Sequence, residues 1–270
     1  MHEPALSEEP HLSQPRPRRR KRWLVGGVLL VGVICMGGIY YYLGVSSDQK
    51  LQEALAEADR SDPGWRILEL EAKRRKIPDE QNSGINVMNA KANLPPRWPF
   101  WDQAAGDDLG ERFQKLAAPV LLDEQQVSAL RKELKRAARP LAEVYKIAAK
   151  PRGRYPIAYT KDFIGTMLPN TQDTRKPANL LAYDALLHAH DQDMDGAMLA
   201  CRCLIHAQRA IGDEPMAISM LVRVAIHHMA IKKLERILAQ GQPSETALAG
   251  LQELLEEELD EPLFLIARWA

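Results

Sequence analysis

The sequence predicts an all-α chain, with one N-terminal transmembrane helix followed by an irregular helical domain built as an array of α-hairpins. Three observations predict it. Residues 23–45, WLVGGVLLVGVICMGGIYYYLGV, carry no charge. Beyond them Ala, Leu, Glu, Lys and Arg dominate and aromatics make up only 6% of the chain, a composition that favours helix because straight-chain residues lose little rotamer freedom there. Apolar residues then recur every three or four positions, between boundaries rich in Gly and Pro.

The chain begins with MHEPALSEEPHLSQP, a polar, Pro-containing stretch that reads as disordered. Arg16, Arg18, Arg19, Arg20, Lys21 and Arg22 follow, making residues 1–22 a basic tail. The overall charge is balanced, with 36 basic and 36 acidic residues. Outside the tail the chain is therefore mildly acidic, and a nucleic-acid partner is not expected.

At about 1.5 Å per residue, residues 23–45 exceed the roughly 30 Å hydrocarbon core of a bilayer. Trp23 and Tyr40–Tyr42 stand where interfacial aromatics belong. The basic tail precedes the span, while only Lys50 and Arg60 lie close behind it. The positive-inside rule then puts the N-terminus in the cytoplasm and the remainder outside, in the periplasm. No small-x-small cleavage site clearly follows, so the reading is an uncleaved signal anchor whose first partner is the lipid bilayer.

Residues 46–122 read as a membrane-proximal helical segment. DQKLQEALAEADR continues as helix, and Ser61-Asp62-Pro63-Gly64 stops it, with Asp62 and Pro63 suited to cap and open the next helix, WRILELEAKRRK. A third helix is expected over 79–92, and a fourth over 107–122, broken by Pro119. RWPFWD, residues 97–102, reads as an aromatic anchor that pins a Pro-rich loop onto the helices.

Residues 123–270 read as a helical bundle or hairpin array. Val127, Leu130, Leu134, Ala137, Leu141, Val144 and Ala148 give 123–150 a continuous apolar face, with Asp123 and Gln126 as a capping box and Pro140 as a kink or break. PRGRYPIAY is a connector with room for one strand at most. Helices are expected over 174–190, 193–211, 214–240 and 244–259.

The sharpest functional candidate is HAHDQDMDGAMLACR, residues 188–202. Asp191, Asp193 and Asp195 followed by Gly196 begin as an EF-hand calcium loop does. The second half of the loop fails. Leu199 stands at the ninth position, and Arg202 occupies the twelfth, where a bidentate Glu is needed. The three aspartates are thus weak metal candidates, and the better reading is a helix-capping turn. Five His (188, 190, 206, 227, 228) gather near Cys201 and Cys203, but no zinc spacing is present. No nucleophile elbow, phosphate loop or dinucleotide fingerprint appears, so neither catalytic residue nor cofactor is assigned.

Leu180, Tyr183, Leu187, Ala197 and Cys201 make this stretch resemble a tetratricopeptide-type (TPR-like) hairpin, without a second copy at that period. The segments ALAEADRSDPGWRILELEAKR, IPDEQNS, KPRGRYPIAY and GDEPMAISMLVRVA resemble a family of membrane-anchored helical proteins of planctomycete-type bacteria. That resemblance, from about residue 50 onward, implies no catalytic signature. The expectation is an extracytoplasmic module for protein interaction or envelope structure. The alternatives are a hydrolase-like helical enzyme or a weak cation-responsive module.

Overall fold

The computed structural model describes residues 19–102, 109–160 and 165–261. Among them every regular element is helical, and the lone β-type contact is a single bridge between Asn82 and Arg152. The chain divides into two compact units, Met1–Trp65 and Arg66–Ala270.

The first unit is helix α1, Arg19–Ser61, which runs through the apolar stretch and onward without interruption. From Gly26 it is long and apolar enough to cross a membrane, with none of its apolar window buried in the protein.

The second unit opens with α2, Ile67–Lys73. Asp62 and Pro63 do not start this helix, contrary to expectation. Its N-cap is Arg66, with no side-chain cap. It also ends three residues early. Arg74 turns extended and buries its guanidinium against Glu71 (3.0 Å) and Asp213 (3.1 Å). The helix expected over 79–92 is divided into a 3-10 turn at Asp79–Gln81 and α3, Ser83–Ala92. Between them the Asn82 side chain accepts from Gly84 N–H at 3.0 Å.

Helix α4 spans only Leu109–Lys115, shorter than the helix expected over 107–122. The chain after it is diverted because its carbonyls serve the later helix at Ala217–Gln240. Arg236 donates to Ala117 O (2.9 Å) and to Val120 O, and Gln240 donates to Ala118 O (3.0 Å).

The capping box forms as expected at the head of α5, Glu124–Arg136. Asp123 accepts from Gln126 N–H at 2.8 Å, and Gln126 Oε1 accepts from Asp123 N–H at 3.0 Å. Helix α6, Ala138–Tyr145, follows after a break at Ala137. That break precedes Pro140 by three residues, since the proline ring has no N–H to donate and collides with the carbonyl one turn back.

The connector 150–160 forms no strand. Gly153 crosses the junction of α3 and the end of α9 with no space for a methyl group. A Cβ there would stand 2.6 Å from Ala210 Cα and 2.8 Å from Gly84 N. Helix α7, Pro169–Asp173, was not foreseen. The four long C-terminal helices match expectation closely: α8 (Arg175–His190), α9 (Met194–Arg209), α10 (Ala217–Gln240) and α11 (Glu245–Leu259).

Helix α9 is the centre of the unit, contacted by α3, α6, α8, α10 and α11. One apolar core runs from Val87 to Leu254, and a smaller cluster gathers Trp101, Leu109, Phe113, Leu122, Leu130 and Leu186. The acidic α11 is fastened by charge. Arg209 pairs with Glu257 (2.9 Å) and with Glu258, Gln208 donates to Glu258, and Arg152 pairs with Glu261 (2.7 Å).

Candidate binding pocket

The aspartates that looked like a calcium loop point to three different places. Asp191 pairs with Arg131 of α5 at 2.6 Å. Asp193 caps α9, accepting from Gly196 N–H at 3.0 Å, while its other oxygen meets His188 Nδ1 at 2.8 Å. Asp195 accepts from the Ser244 N–H at 2.8 Å, at the head of α11. Gly196 is needed for this packing, because a Cβ would sit 2.7 Å from His188 Nδ1. Among the described residues, no group of three or more His, Cys, Asp or Glu is placed to hold a metal ion.

His188, His206 and both cysteines are likewise built into the packing, whereas the buried Nδ1 atoms of His190 and His227 find no hydrogen-bond partner among the described residues. Cys201 and Cys203 are buried free thiols, each pushed up to about 12 by burial, and so poor nucleophiles. His206 meets the Ile147 carbonyl at 2.8 Å, and burial holds its pKa down. His188 lies 3.3 Å from Asp184, which also accepts from Tyr145 O–H. That cluster joins α6, α8 and the turn before α9.

RWPFWD is an anchor. Trp98 donates to Glu133 O (3.2 Å) and Trp101 to Tyr183 Oη (3.1 Å). Trp101, Phe113 and Tyr183 pack mutually in edge-on and tilted contacts, with ring centroids 5.2 to 5.6 Å apart.

This aromatic knot forms one wall of a cavity of about 830 Å³ between α4, α8 and α10, a volume in the ordinary range for small-molecule sites. Phe113, Leu116, Tyr183 and Met229 supply apolar wall; Lys115, Lys232 and Glu235 are exposed at the mouth, and Lys233 and Arg236 bring charge deeper in. The two deeper cations stand one helical turn apart on α10, and neither has a carboxylate partner among the described residues. Arg236, only 3% exposed, gives two donors to the Ala117 and Val120 carbonyls, and its buried Nε–H finds no acceptor among the described residues. Lys233 is half-buried and enters no hydrogen bond or ion pair among the described residues. Burial, and then the Arg236 charge, bring the Lys233 amine down to about 8, with Cys201 acting weakly in the opposite sense.

Nothing in the sequence singled out these two residues, because IKKLERILAQ reads as an ordinary solvated helix face. The available signal was Lys232 four residues before Arg236, a like-charge spacing that destabilises an isolated helix. No protein-family model, curated protein or solved structure matches this chain.

Proposed function

We propose that this protein is a single-pass, membrane-anchored helical binding module, with its N-terminus in the cytoplasm and residues 66–261 in the extracytoplasmic space. One observation carries the reading. Helix α1 exposes a continuous apolar surface, with Leu29, Val33, Met36 and Tyr40 all more than 60% open, and nothing in the first unit covers it. The bilayer is the natural cover for such a surface. The arginines ahead of it set the orientation.

The module itself is TPR-like in the α8–α9 hairpin, where Leu180, Ala197 and Cys201 are buried and Tyr183 and Leu187 partly so. It belongs on this reading with the planctomycete-type membrane-anchored proteins that its segments resemble, and serves protein interaction or envelope structure. The hydrolase-like alternative wants His and Asp converging in one pocket. The large cavity instead has His228 and Glu235 exposed at its rim and no Asp in its lining.

Reporter fusions at the C-terminus test the orientation. An extracytoplasmic reporter should be active, and a cytoplasmic signal would refute it. Proximity labelling from the full-length chain should then enrich envelope proteins. Enrichment of cytoplasmic proteins alone would end the interaction reading.

A further inference from the structure

We propose that the cavity between α4, α8 and α10 binds a long-chain amphiphilic carboxylate, its head at Lys233 and its tail along Phe113, Leu116 and Met229. The inference rests on the pocket as the binding site of the module and is independent of how the anchor is oriented.

The first support is uncompensated charge. Removing a cation from water is costly unless an opposite charge or strong acceptors replace the hydration. Arg236 has only neutral carbonyls as acceptors, Lys233 has none, and each lies within the other's field. An anion between the helices would relieve both.

The second support is the wall. Beside Lys233 the lining includes Phe113, Leu116, Tyr183 and Met229, and its aromatic part is held by the Trp101–Tyr183 bond and the inclined ring contacts. An apolar chain gains by covering it.

The third concerns the kind of anion. Arg236 spends a donor of each terminal nitrogen on backbone carbonyls, so its end-on fork is not on offer to phosphate. At the mouth Lys115 and Lys232 are exposed, Lys115 pairing with Glu111, and Glu235 adds an opposing charge. Lys233 is the one partly buried ammonium of the lining, which suits a single negative charge.

The test uses the full chain in phosphatidylcholine nanodiscs, with radiolabelled hexadecanoate as probe and empty discs subtracted. Binding should saturate, and unlabelled hexadecanoate should compete for it where hexadecanol does not. Lys233→Gln should weaken binding about tenfold or more, as expected for one charged hydrogen bond, and Lys233→Arg should retain it. Raising the pH through about 8, where the amine deprotonates, should weaken binding to the native chain but not to K233Q.

Because Lys233 makes no hydrogen bond or ion pair among the described residues, K233Q should melt at or above the native temperature, so lost binding cannot be put down to misfolding. Met229→Trp, which fills the cavity and leaves the charge, should also abolish binding. Equal competition by phosphatidylglycerol in the discs, whose charge is a phosphodiester, would overturn the carboxylate assignment. Equal competition by hexadecanol, or native affinity in K233Q, would overturn the proposal. So would the absence of saturable binding, and that result would leave the anchor and the partner search untouched.

Discussion

The Asp195 carboxylate accepts the backbone N–H of Ser244, joining the first turn of α9 to the head of α11 across 49 residues of sequence. The bond holds the Asp195 carboxyl below the usual range. It shows what the acidic turn does, which is to fasten helices.

Calcium should therefore leave the protein unchanged. Millimolar calcium is expected to give no thermal shift in the native chain, since Asp191, Asp193 and Asp195 are committed elsewhere. Asp193→Ala should cost about 1 kcal/mol through the lost N-cap, read from urea unfolding. A calcium-dependent shift that vanishes in Asp191→Ala would reverse the assignment.

Stability should fall as pH rises through the titration of His188. Its hydrogen bond to Asp184, with Asp193 adding, outweighs burial and raises its pKa above the ordinary 6.5. A pKa higher in the folded state means the folded state holds the proton more tightly. The contribution is thus complete below 6.5 and is lost on passing through the raised value. Urea midpoints across this range should show the slope in the native chain, and His188→Gln should flatten it.

Removing the partner of a buried cation should be expensive. The Arg209 side chain is 2% exposed and that of Glu258 6%. Glu258→Ala leaves Arg209 with only the exposed Glu257 and should cost about 3 kcal/mol. Glu253→Ala on the open face of α11 should cost little. Equal effects from the two would show that α11 is not fastened by charge.

The aromatic knot should divide into a polar and an apolar share. Trp101→Phe loses the hydrogen bond to Tyr183 and should cost about 1 kcal/mol. Trp101→Ala also leaves a cavity and should cost about 4 kcal/mol. Chemical unfolding of the two variants measures the difference.

Gly153→Ala should destabilise by about 2–3 kcal/mol, because the added methyl meets backbone at Ala210 and Gly84 instead of a yielding side chain. Gly250→Ala, where a methyl meets nothing, should be neutral or mildly stabilising.

Much of this fold could be read from local pattern. The helices from Arg175 onward, the capping box at Asp123 and the anchoring role of RWPFWD all follow from periodicity and capping chemistry within a few residues. Boundaries set by distant partners could not be read this way. Helix α2 stops where Arg74 is drawn to Asp213, and the chain after α4 turns where Arg236 takes its carbonyls. The binding pocket was illegible for the same reason. Lys233 and Arg236 look solvated in sequence, and only α8 and the segment 117–120 after α4, set against α10, remove their water. The acidic turn was the opposite case. Its residues were conspicuous, and the position-by-position failure at Leu199 and Arg202 already told against a calcium loop.

The narrow crossing at Gly153 bears on how the second unit comes apart. In a solenoid each repeat leans only on its neighbours, so one end can fray while the other stands. Here the connector is held by α3 on one side and the end of α9 on the other, and α9 touches helices from both ends of the unit. Neither half owns a complete interior until the other arrives. Such a module should melt in one step and resist trimming to a smaller fragment, and a protease that opens one end should release the whole unit to digestion.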